Sequence, residues 1–489
     1  MMAKKVVIDP ITRLEGHGKV EIFLDDSGNV EHAYFVIPEF RGFERFSIGR
    51  KVEDMPWITP RLCGVCPTTH HLCSAKACDA VYKVTPPLPA IKIRKLFNNL
   101  FMFEDHLIHF YYLGGPDFIV GPTAPKAERN ILGVIGKVGL EIAGKLIAMR
   151  KEVRLIMEDM GGRVIHPVFA IPGGITKPLD KDIVERVKEA TGRMVEFAEF
   201  TIKAFHDIVL GNKEYVDLIL NGPYYSVTNH MGLVDENNKV EWYDGMVRVV
   251  DTKGKELYKF HPSEYTEYIG EHVEPWTWMK FPYLKKLGWK GFVDGEGTSL
   301  YRVAPLARLN ASDGMKTPKA QEEYEKLYET LGGKPCQHSL AFHWARVIEV
   351  MQAAEDAQRL ANDPDILDPN VRTIPTETPS EGVGIVEAPR GTLIHHYKTD
   401  ENGIVTDANL IVATAHNEAV IAMEIDKAAK AFIKDGKVDD GLLNMVEMAF
   451  RPYDPCHACS THSLPGQMPL KITIRRSSDG EIIDVIQRD

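Results

Sequence analysis

Four cysteines stand in two pairs, Cys63 and Cys66 in RLCGVC and Cys456 and Cys459 in DPCHAC, at opposite ends of the chain. Thiolates are soft ligands that suit zinc, copper(I), nickel and iron. Two sulfurs in C-x-x-C converge on one ion when a turn or a helix start lies between them. Gly64 lets the backbone bend inside the first pair. Pro455 fixes the residue before Cys456 and has no amide hydrogen to leave unsatisfied. A helix start after each pair would aim amide hydrogens at the sulfurs and lower their pKa. Together the pairs make a four-thiolate site. A structural zinc site is the plain reading of that spacing. Zinc ribbons, however, pair their knuckles within about 15–20 residues. A metal that ties together both ends of a large protein is expected to be buried and functional. The other cysteines, Cys73, Cys78 and Cys336, read as small apolar core residues.

The elements that must position these groups are visible in the patterning. Residues 4–37 read as strands, with DDSGN as the turn between the last two. A helical pattern starts just after RLCG and runs to residue 84. A second covers 88–113 and is expected to stop at Gly114-Gly115-Pro116. Long helical segments follow at about 124–160 and 179–211, each with enough apolar residues to join a bundle. Residues 222–305 change character, rich in Tyr, Trp, Gly and Pro, and read as an insertion or second lobe. Helices resume at 317–332 and 343–362. A Pro-rich connector over 363–382 leads to strand-like runs and then to helices at about 417–433 and 440–450. The expected fold is mainly α with α+β lobes. A central bundle of long helices surrounds a buried metal site, with β segments near both termini, in a single domain over 1–489.

Composition sets the outer bounds. A chain of 489 residues can bury a large core, and 44% apolar residues is ordinary for a globular protein. The net charge of −11 argues against a general nucleic-acid binder, which would carry a basic stripe. The few, clustered cysteines exclude a disulfide scaffold and suit a reducing compartment. No signal peptide and no membrane span is apparent, so a cytoplasmic location is expected.

At this point the residues resemble a known family. RLCGVC with His70 beyond it, and DPCHAC with His462 beyond it, are similar to the two signature motifs of the large, catalytic subunit of nickel–iron hydrogenases. ITRLEGHG (11–18), FRGFE (40–44), HFYYLGGPD (109–117), EAPRG (387–391) and LIVATAHN (410–417) resemble further family segments in family order. The resemblance implies that Cys63, Cys66, Cys456 and Cys459 hold nickel. Cys66 and Cys459 would bridge to an iron carrying carbon monoxide and cyanide. Arg390 resembles the guanidinium over the open site, and Asp117 and Asp454 the carboxylates that hold it. Thr414 stands where a hydroxyl donates to a cyanide, and His70 where a ring donates to a bridging sulfur. Glu15 resembles the proton-relay carboxylate beside a terminal cysteine, here Cys456. Glu44, the Leu410 carbonyl and His462 resemble magnesium ligands.

The same resemblance implies heterolytic cleavage of dihydrogen to protons and electrons. The three remaining cysteines lack iron–sulfur spacing, and no Gly-rich dinucleotide or flavin fingerprint follows a strand. Electrons must therefore leave through an iron–sulfur small subunit. EHVEPWTWMKFPYLKKLGW (271–289) and YRVAPLARLNASDGM (301–315) resemble the soluble multisubunit branch. Its members are either viologen-reducing and linked to heterodisulfide reductase, with flavin, or NAD-reducing with a diaphorase; the first type is favoured. A zinc-stabilised protein of the same fold is the other reading. Residues 463–489 resemble the tail that a maturation protease removes in most members. Alternation in LKITIRR and EIIDVIQ reads as a hairpin.

Overall fold

A computed structural model describes residues 4–39, 41–461, 470–476 and 482–488. The chain opens with an antiparallel sheet of β1 (Lys4–Ile8), β2 (Lys19–Leu24) and β3 (Val30–Val36) in that order. Alternation buries Val20, Ile22 and Leu24 on one face of β2, the period-2 pattern of a half-buried strand. Helix α1 (Pro67–Val81) starts directly after Cys66, with Pro67 in its first turn, where a missing N–H costs nothing. It is buried along almost its whole length.

Helix α2 (Leu88–Ile108) does not stop at the Gly-Gly-Pro. It passes into a π turn over His109–Gly114 and on into a short helix, Gly115–Ile119. A π turn shifts the hydrogen-bond ladder, so Pro116, which has no N–H to give, falls where the ladder is already changing. The segment expected to be helical from 124 is split into α3 (Ile131–Val138) and α4 (Leu140–Gly161) by Gly139 at φ +87°. Leu132 and Leu140 are 73% and 82% exposed, so this end of the segment lies on the surface. Helix α5 (Lys181–Phe205) ends in a second π turn, His206–Leu210.

Residues 229–302 carry a sheet of β4 (Asn229–Val234), β5 (Met246–Val250) and β6 (Glu256–Phe260), and a hairpin of β7 (Ile269–Val273) and β8 (Lys280–Leu284). Strand β9 (Tyr301–Arg302) pairs in parallel with β4. This region does not stand apart. Leu233, Val247 and Tyr301 share one buried cluster with Ile385, Ile394 and Ile411. Helices α6 (Pro318–Thr330) and α7 (Phe342–Ala361) follow, and α7 packs against both α2 and α5 as the centre of the bundle.

An antiparallel sheet, β10 (Glu381–Ala388), β11 (Gly391–Thr399) and β12 (Val405–Ile411), lies flat on α1. A Cβ on Gly384 would meet the Cys73 carbonyl oxygen at 2.3 Å, so only glycine admits this approach. Helices α8 (Glu418–Phe432) and α9 (Asp440–Glu447) lead to the second cysteine pair. The expected C-terminal hairpin is present as β13 (Leu470–Arg475) with β14 (Ile482–Arg488); its SSDG turn lies outside the described residues. No described helix is long and apolar enough to cross a membrane.

Candidate metal centre

Each cysteine pair sits on a break in helical structure. A single turn over Thr59–Leu62 ends at Cys63, whose backbone is extended. The amides of Val65 and Cys66 then donate to Cys63 Sγ at 3.2 and 3.0 Å. At the other end a turn over Arg451–Tyr453 is followed by Asp454 at φ 54°, a conformation tolerated by Asp. The chain extends through Cys456, and one helical turn, His457–Ser460, begins inside the pair rather than after it.

The two loops are stapled together by groups far away in sequence. Glu15 N donates to Pro455 O at 3.3 Å and His457 N donates to Glu15 O at 3.0 Å. A Cβ on Gly16 would lie 2.8 Å from Ala458 N, and its φ is +87°. Glycine is thus what lets the 11–18 loop press against the C-terminal turn. Arg41 adds a second staple: its guanidinium donates to both Leu62 O and Ala458 O.

The four sulfurs all lie within 4.8 Å of one another and are buried. Cys63 Sγ is 3.2 Å from Cys456 Sγ, Cys66 Sγ 3.5 Å from Cys459 Sγ, and Cys456 Sγ 2.9 Å from Cys459 Sγ. Burial pushes the Cys456 and Cys459 thiols well above their ordinary range. Burial opposes ionisation of Cys63 as well, but hydrogen bonds from Cys456, Cys459 and Cys66 outweigh it and hold that thiol low. Four thiolates cannot share so small and dry a space without a cation among them. The donor set is that of a soft metal, and it fits a nickel–iron centre.

Beside the sulfurs is a small cavity of about 10 Å³ lined by Cys66, His70, Arg390, Thr414, Cys456 and Cys459, among others. Thr414 Oγ1 accepts the Cys456 N–H at 3.0 Å, which leaves the hydroxyl proton for another acceptor. His70 Nε2 is 3.5 Å from Cys459 Sγ. Glu15 Oε2 accepts from Cys456 Sγ at 2.9 Å and from Ala458 N at 3.1 Å. Burial raises the Glu15 pKa and the charge on Cys63 adds to the rise, against the pull of the Cys456 and Ala458 hydrogen bonds.

Arg390 is fully buried and pairs with Asp454, Nη2 to Oδ2 at 2.9 Å, as the sequence suggests. Its second carboxylate is not Asp117. Asp105, on α2, lies 3.2 Å from Nη1, whereas Asp117 lies beyond the π turn and pairs with Arg13 at 2.5 Å and Arg451 at 3.1 Å. Asp117 stands about 18 Å further along the helical path, at about 1.5 Å per residue, which is why it misses Arg390. Burial opposes the Arg390 charge, but Asp105 and Asp454 outweigh it and hold its pKa well above the ordinary value. Asp105 itself is pushed up to about 7 by burial, against Arg390. Its EDHL context carries no signal separating it from an ordinary helical aspartate.

Glu44 Oε1 accepts the Leu410 N–H at 2.7 Å, a contact through the amide and not through the carbonyl. His462 lies outside the described residues. Cys73 and Cys78 are buried and donate to backbone carbonyls of Gly384 and Val52, each at 3.2 Å, and Cys336 is buried alone. All three behave as core residues. Among the described residues the four-cysteine group is the one candidate metal cluster.

A dry four-thiolate centre closed by both ends of the chain, with a paired arginine and a carboxyl against it, is the site of a metalloprotein. A model of the nickel-dependent hydrogenase family matches residues 41–132 and 219–462, and one described as HoxL-like matches 5–40. The chain is 50% identical over 485 residues to a protein of Archaeoglobus profundus named as an iron-sulfur subunit of F420-non-reducing hydrogenase, covering 99% of each. It is 36% identical over 502 residues to the beta subunit of the NAD-reducing hydrogenase HoxS of Cupriavidus necator, again covering 99% of each. A solved NAD+-reducing NiFe hydrogenase superposes with a TM-score of 0.87 at 37% identity, over 94% of this chain and 99% of that one. The Ni-Fe-Se hydrogenase of D. vulgaris Hildenborough shares the fold, with a TM-score of 0.75 at 23% identity over 94% of this chain and 100% of that one. This chain belongs to the nickel-dependent hydrogenase family, as its large, catalytic component.

Proposed function

We propose that this protein cleaves dihydrogen reversibly and that Cys63, Cys66, Cys456 and Cys459 would hold a nickel–iron pair. When bound, the pair, with carbon monoxide and cyanide on the iron, would supply soft, electron-accepting metals for heterolytic cleavage of dihydrogen. The chain's own groups handle the proton. Cys456 Sγ is the first acceptor, because Arg390, clamped by Asp105 and Asp454, holds its own proton too firmly to be a base. Glu15 takes the proton next across 2.9 Å, a distance suited to direct transfer. Burial raises its pKa, which favours a carboxyl that carries a proton in transit. Arg390 keeps a fixed positive charge over the cavity. Thr414 offers its hydroxyl proton to a diatomic ligand, and His70 donates to Cys459. Glu44 and the Leu410 carbonyl, with His462, would hold a magnesium ion.

The observation that carries this reading is the Cys456–Glu15 contact inside a four-thiolate site. The three remaining cysteines are buried singly, so electrons pass to an iron–sulfur small subunit. It docks over Gly64 and Trp57, which are exposed beside the first cysteine pair. We favour the viologen-reducing type coupled to heterodisulfide reductase; the 50% relative is named as F420-non-reducing, and the NAD-reducing one is more distant at 36%. We place the enzyme in the cytoplasm and assign residues 463–489 to a tail removed by a maturation protease. Residues 222–305 are an insertion within the single large-subunit domain.

Elemental analysis and infrared spectroscopy of the purified complex test the function. Nickel is expected, with iron in excess of it because the small subunit carries iron–sulfur clusters, together with carbon monoxide and cyanide bands. Zinc in place of nickel, with no such bands, would refute the reading and leave a zinc-stabilised protein of the same fold.

A further inference from the structure

A chain of buried polar groups runs away from Cys459. His70 Nε2 lies 3.5 Å from Cys459 Sγ, and His70 Nδ1 lies 3.1 Å from His395 Nε2. His395 Nδ1 lies 2.8 Å from the Tyr397 hydroxyl, which lies 2.8 Å from Ser74 Oγ. All five residues are at most 1% exposed. The chain is built from two facing elements. Ser74 and His70 are one turn apart on α1, and His395 and Tyr397 share a face of β11 at i and i+2. The close packing of α1 on the sheet brings the two pairs into register.

The chemistry of the groups gives this chain one direction. A metal-bound thiolate can only accept, so His70 Nε2 must carry the proton it donates to Cys459. A neutral imidazole has one donor and one acceptor, so His70 Nδ1 accepts, and His395 Nε2 donates to it. His395 Nδ1 then accepts, and the Tyr397 hydroxyl is its donor. The Tyr397 oxygen is left as acceptor for Ser74. Thr59, which also lies beside Tyr397, gives its own proton to Met55 O at 2.8 Å and does not compete as a donor. Every link requires the next, and reversing one would point a lone pair at the sulfur.

We propose that His395, Tyr397 and Ser74 are positioning residues that fix the tautomer of His70 and so hold its N–H on Cys459. The proposal rests on the reading of Cys459 as a ligand thiolate. Groups behind a metal-site histidine govern its orientation and tautomer in this way.

Neutron diffraction from the purified complex tests the polarity directly. Protons are expected on His70 Nε2 and His395 Nε2, with the Tyr397 hydroxyl hydrogen turned to His395. A proton on His70 Nδ1 with none on Nε2 would overturn the proposal. The second measurement is Tyr397→Phe, which keeps the ring and removes the donor. Nickel loss to a chelator should quicken by about 10-fold, and the carbon monoxide band should move to lower wavenumber as Cys459 becomes a stronger donor to iron. Ser74→Ala should shift the band the same way by less. An unmoved band with unchanged nickel retention in Tyr397→Phe would also overturn it. If the parent holds zinc and shows no carbon monoxide band, the proposed function fails. The neutron positions still decide the polarity, because a zinc-bound thiolate is equally an acceptor.

Discussion

Glu15 and Arg390 are both buried against the sulfurs, yet they suit opposite tasks. The carboxyl is destabilised as an anion by burial and can cycle a proton. The guanidinium is locked in its charged form by Asp105 and Asp454. Glu15→Gln keeps the shape and the hydrogen bond to Ala458 but cannot relay a proton. It should retain nickel and iron while hydrogen/deuterium exchange falls by about 10²–10⁴-fold; exchange at the parent rate would remove Glu15 from the path. The aspartates can be separated in the same way. Asp105→Asn should lower turnover about 10–100-fold with nickel retained, because it loosens Arg390. Asp117→Asn leaves Arg13 and Arg451 without their shared anion and should cost about 3–5 kcal/mol of stability, with turnover per nickel unchanged. Denaturation midpoints and turnover per bound nickel in the two variants check this, and the reverse pattern would restore Asp117 to Arg390.

At the scale of elements, the site depends on how closely α1 approaches β10 and β11. His70 comes from the helix and His395 from the strand, while Arg390 sits at the β10–β11 hairpin. Gly384 has no room for a side chain against the Cys73 carbonyl. Gly384→Val should therefore destabilise by about 1–3 kcal/mol through overpacking and weaken nickel retention as His70 draws back. Gly136, on α3, meets nothing within 4 Å. Gly136→Ala should stabilise by about 0.4–1 kcal/mol through the unfolded chain. Paired denaturant titrations separate the two; equal effects would mean that the α1–sheet contact is not tight.

Across the whole molecule, many ionisable groups are held neutral by burial. His71 and His106 are lowered to about 4, and His343 and His416 to about 3, from an ordinary value of 6.5. The unfolded chain binds these protons below pH 6.5 and the folded chain does not. Stability is therefore present above 6.5 and lost as the pH falls towards 4, at up to about 1.4 kcal/mol per pH unit for each ring. Asp105, raised to about 7, works the other way. The stability it contributes is present below about pH 4 and lost as the pH rises through 7. Among the described residues eight rings are held low and six carboxyls are raised, so the rings prevail and the urea midpoint should fall between about pH 6.5 and 4. A midpoint that is flat over that window would mean the rings are charged in the fold.

How much of this was legible beforehand follows from the range of each interaction. Local pattern was enough for β1 to β3, for the helices over 181–205 and 342–361, and for the hairpin strands after residue 470. Alternation and 3.6-residue periodicity act over a few neighbours. The cysteine pairs were legible as a metal site because ligand chemistry resides in the residue type, and the motif resemblance placed Glu15 beside Cys456. The partner of Arg390 was not legible. Asp105 and Asp117 are both buried, and only the packed helices show which of them lies beside Arg390. Arg41, bridging Leu62 O and Ala458 O, and the His395–Tyr397–Ser74 chain were equally hidden, because each joins elements that meet only through tertiary packing. The sequence by itself determined which chemistry the chain could do. The tertiary structure decided which charges balance Arg390 and which groups steer the thiolates, because buried charges and hydrogen bonds are satisfied by whatever packing brings near, whatever their separation along the chain.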